Sequence, residues 1–444
     1  MPSDKNSSVK IAVVGGGFVG ITLAARLLDV KNVYVNVFDQ DPVKIEHFKN
    51  YDFLVNEPGL QKILTEAEKF GRFTFNEENN STIFDAIFIC IGSPKNQNPR
   101  ERDHNFRMII NNYLPLLDKN GLIFLRSTVE IGTTERLSKY LNFTDRSDVS
   151  IHFAPERTAE GVALAELKVL PQLLGTAKDA HSGKEAKAFL EKLNFEVVQT
   201  ENSQTAELSK LACNTWRDVT FGFSNEMALI AEKIGANALN AIQSANYNYP
   251  RATIPLPGPV GGPCLSKDTT ILFNGVPDST LSSNSVMLAA RRTNEFVEER
   301  LINALKVCIE PEVKEMKLCI IGASFKGRPQ TNDVRNGVAV NLIQRIQEEK
   351  LPILIKVWDP VVSKLDLGEF GHLLTTNLDD LMPNVVLISN NFNFESDKNF
   401  MNFIQRLDSK VIVFDLWQLT EKISGIKAKV FQLGKSWIDE KIYE

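Results

Sequence analysis

Cys264 stands in a stretch rich in glycine and proline, and its thiol is the first candidate for chemistry in this sequence. The sequence GGPCLSKD (261–268) places this thiol after two glycines and before the pair Lys267 and Asp268. A cysteine can pack as a small hydrophobic residue, bind a metal or attack an electrophile. No further ligands stand nearby at the spacing of a metal site, and packing explains neither the glycines nor the Lys-Asp pair. A metal is therefore not expected, and Cys264, in its glycine-bearing turn, remains either a small packed residue or a nucleophile.

The other four cysteines have the surroundings of structural residues. Cys90, Cys308 and Cys319 lie in apolar runs, and Cys213 lies within a predicted helix, so we expect all four to be buried. An odd number of scattered cysteines without a CxxC pair argues against a disulfide framework and against a structural zinc site. A reducing, cytoplasmic location is expected.

Lys210 and Asn214 could stabilise a negative charge that develops on oxygen. They are four residues apart in a proline-free segment (204–234) that predicts one long helix, so their side chains share one helix face. A cation and an amide on one face can stabilise an oxyanion. From the spacing alone, a solvated lysine and an ordinary mid-helix asparagine remain the simpler interpretation.

Glu156 and Glu160 lie in PERTAEG (155–161), just after a predicted strand. Loops at the carboxyl ends of parallel strands are where α/β proteins bind ligands. A carboxylate in such a loop can act as a base in an oxidation. The alternative is that both are solvent-exposed loop residues.

Three glycines after the first apolar run predict a dinucleotide site. Gly15, Gly17 and Gly20 form GxGxxG between a predicted strand and a predicted helix. They allow a tight turn, close approach of a pyrophosphate, and packing of the helix against the strand. Asp39 ends the next strand, where a carboxylate can hold a ribose diol and would repel a 2′-phosphate. The pattern favours NAD over NADP; the alternative is an ordinary glycine turn of a doubly wound fold.

Apolar runs alternate with amphipathic segments in two blocks of the chain. This alternation predicts a parallel sheet covered by helices on both faces in each block. We therefore expect an α/β fold with two Rossmann-like doubly wound domains (1–200 and 306–444) joined by a helical middle domain (201–305) that contains the long helix. Long helices between two such blocks often pair with a second subunit, so a homo-oligomer, dimeric or higher, is expected through the middle domain.

Charge and hydropathy exclude several classes of protein. The 444 residues carry a formal net charge of −5, which argues against broad binding to nucleic acid or to membranes. The polar amino terminus MPSDKNSSVK does not have the pattern of a signal peptide. No apolar run approaches the roughly 20 residues that would span a bilayer.

Eight short motifs follow one another along nearly the whole chain. They are VVGGGFVG, EPGL (57–60), STVEIGTT (127–134), PERTAEG (155–161), ELSKLACNTW (207–216), PGPVGGPCLSKD (257–268), FKGRPQTNDVR (325–335) and VWDP (357–360). Each is modest alone, but the ordered set resembles the UDP-glucose/GDP-mannose dehydrogenase family, the nucleotide-sugar 6-dehydrogenases.

The resemblance implies a reaction that needs a thiol. Such enzymes oxidise the CH2OH group of a nucleotide sugar to a carboxylate with two NAD molecules and do not release the aldehyde. Cys264 would capture the aldehyde as a thiohemiacetal, and a second oxidation would give a thioester that water hydrolyses. The expected substrate is a UDP-sugar, and the glycines before Cys264 would leave room for substrate and nicotinamide to reach the sulfur.

The resemblance also implies supporting roles. Lys210 and Asn214 match K-x-x-x-N and would stabilise the oxyanion that forms in both halves of the reaction. Glu156 is the expected acid/base, acting directly or through a water placed by Thr128. Asp268 is the alternative group for activating the hydrolytic water, or it orients the lysine.

Further contacts follow from the same resemblance. The expected cofactor contacts are Gly15, Gly17, Phe18, Val19, Gly20, Asp39, Lys44, Gly92, Ser93, Pro94, Ser127, Thr128, Glu160, Lys267 and Arg335. The expected substrate contacts are Glu156, Arg157, Glu160, Lys210, Asn214, Arg251, Leu256, Gly258, Gly261, Phe325 and Lys326. Arg251 would reach the substrate across a subunit interface.

Two departures from the family pattern bear on the sugar. ERTAEG follows Pro155 where glucose-oxidising members carry E-F-L-x-E-G, which favours a UDP-N-acetylhexosamine. The Lys-Asp pair after Cys264, which relatives specific for those sugars often lack, favours glucose. We expect a UDP-N-acetylhexosamine, with UDP-glucose as the alternative.

Two other functions are compatible with parts of the pattern. A two-electron β-hydroxyacid-type dehydrogenase would share GxGxxG and a helical-domain lysine, but would need neither Cys264 nor a second Rossmann-like block. A non-catalytic sensor of NAD or of a nucleotide sugar would need none of the residues Cys264, Lys210, Asn214, Thr128 and Glu156.

Overall fold

The chain forms two compact units, and each unit is built from two separate ranges of the sequence. The computed structural model describes residues 8–50, 55–76, 82–93, 98–177, 183–276, 284–309 and 315–437. One unit comprises Met1–Cys213 with Thr270–Ser279, and the other comprises Asn214–Thr269 with Thr280–Glu444. The predicted division into three domains at residues 200 and 305 stays a prediction.

An eight-stranded sheet forms the centre of the first unit. Its order is β3-β2-β1-β4-β5-β6-β7-β8. Neighbouring strands run parallel except β6 and β7, which pair antiparallel, a difference from the predicted all-parallel sheet. The strands are β1 (Val9–Val14), β2 (Val33–Phe38), β3 (Phe73–Phe75), β4 (Phe84–Ile89), β5 (Leu117–Leu125), β6 (Ser150–Phe153), β7 (Gln172–Thr176) and β8 (Val197–Gln199).

Apolar sequences such as VKIAVV and FDAIFI form these strands because helices cover both faces of the sheet, so side chains on both sides are buried. The helices are α1 (Phe18–Leu28), α2 (Pro42–Lys49), α3 (Leu60–Lys69), α4 (Pro99–Tyr113), α5 (Thr133–Leu141), α6 (Ala163–Val169) and α7 (Gly183–Lys192). The carboxyl ends of β1, β2, β4, β5 and β6 carry the residues considered below.

A five-stranded parallel sheet forms the centre of the second unit, in the order β10-β9-β11-β12-β13. The strands are β9 (Met316–Ile321), β10 (Ile353–Trp358), β11 (Val385–Ile388), β12 (Ile412–Asp415) and β13 (Lys429–Gln432). The remaining helices are α8 (Ser203–Ile234), α9 (Ala238–Asn246), α10 (Leu265–Asn274), α11 (Val286–Val307), α12 (Val338–Glu348) and α13 (Lys398–Arg406). The predicted fold class, two parallel-sheet α/β blocks with a helical segment between them, is confirmed.

The long helix predicted from residue 204 is α8, and it has 32 residues. Its first residues belong to the first unit and the rest to the second. Trp216, Phe223 and Ile230 recur every seven residues and are exposed, so they form an apolar stripe along one side of the helix. Val286 and Phe296 on α11 are exposed as well.

The cysteines divide differently from the sequence-based expectation. Cys90, Cys308 and Cys319 are buried, as predicted, whereas Cys213 is exposed. The prediction for Cys213 was wrong because α8 buries only part of its circumference: Leu211 and Asn214 face inward while Cys213 lies on the solvent side. Cys264 is also exposed.

Candidate active site

The glycine-rich turn after β1 has the geometry that a dinucleotide needs. A Cβ at Gly20 would lie 1.8 Å from the carbonyl oxygen of Gly15, so only glycine allows α1 to pack this closely against the turn. A Cβ at Gly17 would have no neighbour within 4 Å, so the space in front of the helix start is open. No acidic residue stands in the first turn of α1, where Phe18 and Val19 are half-buried. A pyrophosphate therefore fits at this positive helix end.

Asp39 is held in place at the end of β2. Its Oδ2 accepts the backbone N–H of Gly16 at 2.8 Å and the Nζ of Lys44 at 2.8 Å, and its Oδ1 accepts the N–H of Asp41 at 3.0 Å. Burial alone would raise the pKa of Asp39, but the hydrogen bonds and the charge of Lys44 hold it below its ordinary value. Asp39 is therefore an oriented carboxylate beside the turn, suited to a ribose diol.

The loops after β4 and β5 are tied to each other. The hydroxyl of Ser93 donates to the carbonyl of Thr128 at 2.6 Å, and the hydroxyl of Ser127 donates to the carbonyl of Ile91 at 2.7 Å. Gly92 between them is exposed. β4 is the neighbour of β1 in the sheet and β5 is the next strand, so both loops lie at the carboxyl edge where doubly wound folds bind nucleotides. Pro94 lies outside the described residues.

Glu156 is buried after β6, and its carboxylate accepts three hydrogen bonds. Oε1 accepts the backbone N–H groups of Arg157 and Thr158, each at 2.8 Å. Oε2 pairs with the guanidinium of Arg126, which sequence reasoning did not single out. Burial alone would raise the pKa of Glu156, but the charge of Arg126 and the bond from Thr158 outweigh it and lower the pKa.

Two further buried carboxylates were missed by sequence reasoning. Glu57 accepts the N–H of Gly161 at 2.9 Å and the N–H of Leu164 at 3.1 Å, so it fixes the segment that carries the half-buried Glu160. Glu207 on α8 accepts the N–H groups of Gly132 (2.5 Å) and Thr134 (2.8 Å). Burial raises the pKa of Glu207.

Glu207 connects the STVEIGTT segment to the helix that carries Lys210. It also accepts the hydroxyl of Thr134 at 2.7 Å, and Lys210 is buried one turn further along α8. The sequence signal for Glu57 and Glu207 was their presence in the motifs EPGL and ELSKLACNTW. Their partners, however, are distant in sequence.

In the second unit, Cys264 directly precedes helix α10. Its carbonyl accepts the N–H groups of Lys267 (3.2 Å) and Asp268 (3.0 Å), the first hydrogen bonds of the helix. The predicted turn at Cys264 is confirmed, and the residues LSKD directly after it form the first helical turn of α10. The position matters chemically, because the N–H groups and dipole at a helix amino terminus favour an anionic sulfur over a neutral thiol.

Asp268 joins this helix start to α8. Its carboxylate is fully buried; Oδ2 accepts the amide Nδ2 of Asn214 at 2.6 Å, and Oδ1 accepts the Nζ of Lys267 at 2.7 Å. Asn214 is buried and uses one of its two amide hydrogens in this bond. The first turn of α10, with the cysteine at its start, is thereby fixed against α8.

The glycines before Cys264 accommodate the protein's own chain. A Cβ at Gly261 would lie 2.4 Å from the carbonyl oxygen of Asn336, and one at Gly262 would lie 2.6 Å from the ring of Phe325. The expectation that these glycines leave room for ligands was therefore wrong at Gly261 and at Gly262, because the segment packs on the FKGRPQTNDVRNG stretch. The same is true of Gly258, whose Cβ would meet the Trp417 ring at 2.5 Å.

The remaining predicted ligand contacts of the second unit lie on its surface or close to it. Leu256 and Arg251 are exposed, and Arg251 stacks on the ring of Tyr249 at 4.9 Å. Lys326 is half-buried, with its Nζ 5.5 Å from the Phe325 ring. Arg335 pairs with Asp333 at 2.5 Å. Their roles as ligand contacts stay predictions.

Comparison with known proteins matches two family models to this chain. The NAD binding domain of the UDP-glucose/GDP-mannose dehydrogenase family matches residues 9–194, and the central domain of the same family matches residues 204–296. Together these models cover more than half of the chain.

The chain belongs to the UDP-glucose/GDP-mannose dehydrogenase family. It is therefore an NAD-dependent nucleotide-sugar dehydrogenase, which confirms the resemblance drawn from the motifs, the enzyme class and the cofactor.

Individual relatives match over almost their full length. A UDP-N-acetyl-D-mannosamine dehydrogenase of Methanococcus vannielii is 27% identical over 97% of this chain and 99% of its own. The structure of the UDP-D-ManNAc dehydrogenase from Pyrococcus horikoshii has a TM-score of 0.78 at 24% identity, covering 97% and 100% of the two chains. A UDP-glucose dehydrogenase from Pyrobaculum islandicum has a TM-score of 0.75 at 21% identity, covering 99% and 100%. The fold alone therefore does not decide the sugar.

None of the helices in the described ranges is both long and apolar enough to pass through a bilayer. The cytoplasmic location stays a prediction.

We expect Asp39→Ala to raise the Kd for NAD by about 10- to 100-fold, because a charge-assisted hydrogen bond to the ribose contributes about 1.5–3 kcal/mol. The preference for NAD over NADP should narrow, because the carboxylate that repels a 2′-phosphate is gone. Isothermal titration calorimetry with both dinucleotides measures this. Asp29→Ala, at the other end of α1, is the control and should leave both affinities unchanged. An unchanged Kd for NAD in Asp39→Ala would exclude Asp39 from the ribose site.

Proposed function

We propose that this dehydrogenase oxidises the C6 hydroxymethyl group of a UDP-N-acetylhexosamine to the uronic acid, in two oxidations that pass through a covalent intermediate on Cys264. The observation that carries the proposal is that Cys264 is exposed and directly precedes α10, whose first turn is held to α8 by the hydrogen bond between Asp268 and Asn214. This is where a thiolate is favoured and accessible.

The proposed chemistry balances as two hydride transfers and one hydrolysis. The alcohol loses a proton and a hydride to give the aldehyde, and the Cys264 thiolate adds to the carbonyl carbon to give a thiohemiacetal. Loss of a second hydride gives the thioester. Water then attacks the acyl carbon and the C–S bond breaks, which returns the thiolate and releases the carboxylate. NAD supplies the hydride acceptor in both oxidations, so two NADH form per sugar.

Charged and polar side chains of the chain stabilise the oxygen during these steps. An oxyanion develops when the thiolate adds to the aldehyde and again when water adds to the thioester. Lys210 and Asn214, buried on one face of α8, are proposed to donate to it. Asp268 is proposed to keep Asn214 and Lys267 in place. Glu156 is proposed to activate the hydrolytic water, with Asp268 as the alternative.

The sugar is proposed from two features. PERTAEG departs from the pattern of glucose-oxidising members, and the near full-length relative from Methanococcus vannielii is named as a UDP-N-acetyl-D-mannosamine dehydrogenase. UDP-N-acetylmannosamine is therefore the first sugar to test, and UDP-glucose is the alternative, because the Lys-Asp pair after Cys264 is kept. A two-electron dehydrogenase would need no nucleophile at the start of α10.

The number of NADH formed per UDP-sugar consumed decides between these functions. We expect two NADH and one uronate with UDP-N-acetylmannosamine, measured by absorbance and chromatography across UDP-N-acetylmannosamine, UDP-N-acetylglucosamine, UDP-N-acetylgalactosamine and UDP-glucose. One NADH with release of an aldehyde would support a two-electron dehydrogenase. Binding without NADH would support a sensor, and either outcome would refute the proposal.

Replacing the thiol tests the covalent step. Cys264→Ala should lower uronate formation by at least about 1,000-fold, because removal of a nucleophile abolishes the covalent route, while the affinity for NAD stays largely intact. Cys213→Ala is the matched control, since Cys213 is also exposed but lies within α8, and it should keep wild-type turnover. Unchanged turnover of Cys264→Ala would contradict the thioester mechanism.

We also propose that the protein is a homodimer through the stripe of Trp216, Phe223 and Ile230. Three large apolar side chains with 66%, 50% and 47% exposure on one side of a helix favour burial against a second copy. In a symmetric dimer, the same stripe would meet its own copy.

Trp216→Glu combined with Phe223→Glu should convert the protein to a monomer of 49.7 kDa, because two buried charges at an apolar interface oppose association. Light scattering coupled to size-exclusion chromatography measures the mass. Phe143→Glu, at another exposed aromatic residue, should leave the mass unchanged. An unaltered mass in the double variant would exclude the stripe as the interface.

A further inference from the structure

Arg126 is a buried arginine directly after β5. Its Nη1 donates to the carbonyl of Ala154 at 3.2 Å and to Oε1 of Gln172 at 2.6 Å, and its Nη2 pairs with Oε2 of Glu156. A buried guanidinium is costly unless it is paired and hydrogen-bonded. Arg126 lies where β5 and β6 end and β7 begins, beside Glu156, and this position needs a physical explanation.

Gln172 fixes the direction of this guanidinium. Its side-chain NH2 donates to the carbonyls of Pro155 (3.1 Å) and Leu173 (2.9 Å). Both amide hydrogens are therefore used, and its Oε1 is left to accept from Arg126. Arg126 consequently has one orientation, towards the end of β6.

The Glu156 carboxylate is the acceptor in the three hydrogen bonds that surround it. Oε1 accepts two backbone N–H groups, those of Arg157 and Thr158, and Oε2 accepts from Arg126. Protonation would remove the charge that pairs with Arg126 and would weaken all three hydrogen bonds. The arrangement therefore suits the ionised form of Glu156 and disfavours the protonated form.

We propose that Arg126 is a positioning residue for Glu156. The guanidinium group of Arg126 keeps the Glu156 carboxylate ionised and in one orientation throughout the reaction. This inference rests on the proposed function, in which Glu156 meets the reacting sugar or its water. Glu156 then accepts a hydrogen bond from the water that takes the alcohol proton, and the proton passes to solvent instead of remaining on the carboxyl group.

The surrounding titratable groups leave Arg126 as the counter-charge. Burial raises the pKa of Cys90, after β4, to about 12, and burial lowers the pKa of His152, on β6, to about 3, so both are neutral at pH 7. Arg157 donates its guanidinium to a backbone carbonyl. Burial alone would raise the pKa of Glu156, and the charge of Arg126 reverses that direction.

The pH profile of kcat/KM tests the proposal. Without Arg126, burial raises the pKa of Glu156. As pH is lowered, Glu156 should therefore become protonated, and activity should fall, at a higher pH than in the wild type. Arg126→Gln should shift the acidic limb upward by about 1–3 pH units, the usual effect of removing an adjacent opposite charge. Arg126→Lys keeps the charge and should return the limb to near its wild-type position. An unmoved limb in folded Arg126→Gln would overturn the proposal.

Arg102→Gln is the matched control. Arg102 is equally buried and pairs with Glu130 in the same unit, so its loss should lower thermal stability without moving the acidic limb. If Arg102→Gln shifts the limb as far as Arg126→Gln does, the shift reflects general loosening of the unit and the proposal fails.

Thermal unfolding tests the pair without any substrate, so it is independent of the proposed activity. In the wild type, the lowered pKa of Glu156 gives stability that is present above its unfolded pKa and is lost as pH falls through the folded pKa. In Arg126→Gln the pKa of folded Glu156 is raised instead of lowered, so the effect of pH on stability reverses. As pH falls and Glu156 is protonated, Arg126→Gln should gain stability relative to Arg126→Gln/Glu156→Gln.

The double variant also decides the case in which Arg126→Gln does not fold. Because the buried unpaired carboxylate is then absent, the double variant should fold and unfold at a higher temperature at pH 7 than the single variant. If the double variant is no more stable than the single one, Arg126 supports the fold independently of Glu156 and the proposal is overturned. If these thermal results hold but no UDP-sugar is oxidised, the pairing stands and the proposed function fails.

Discussion

The buried carboxylate of Asp268 is the constraint on which the proposed nucleophile depends. It accepts the amide of Asn214 on one oxygen and the ammonium group of Lys267 on the other, so it joins the first turn of α10 to α8. A buried carboxylate is stable only when such donors compensate for its lost hydration. Because Cys264 directly precedes this turn, the hydrogen bond from Asn214 also holds the backbone segment that carries the thiol.

The chain segment before Cys264 is also fixed by close packing. The segment PGPVGG packs against Trp417, the carbonyl of Asn336 and the ring of Phe325, at distances that leave no space for a Cβ at Gly258, Gly261 or Gly262. Motifs that are far apart in the chain, 257–268 and 325–335, are therefore one packed structure in the second unit. The glycines before the cysteine serve this packing, and the cysteine is exposed at the end of it.

Local patterns predicted the elements because burial imposes a period on the sequence. The strands VKIAVV and FDAIFI and the helix α8 were predictable for that reason. Cys264 was predicted in a turn because PGPVGGP is rich in residues that break helices. LSKD carries no such residue, and α10 begins there, directly after Cys264. The exposure of Cys213 was not predictable, because helical periodicity does not show which face the rest of the fold covers.

The residues that hold the site were harder to predict than those proposed to react. Arg126 and Glu156 are 30 positions apart, and Glu57 and Leu164 are 107 apart, so no local spacing connects them. The one available signal for Arg126 was a charged residue directly after an apolar strand. A buried charge at that place needs a partner, but only the fold shows which residue it is.

The most direct test of the central claim, that Cys264 is the reacting nucleophile because it begins α10, is the rate at which iodoacetamide alkylates each cysteine of the native protein at pH 7, followed by peptide mass spectrometry. Cys213 is the internal reference, since it is exposed but lies inside a helix. The account predicts that Cys264 reacts at least about tenfold faster, because helix amino termini favour the thiolate, and that activity falls in proportion to its labelling. Equal rates, with activity surviving complete labelling of Cys264, would contradict it.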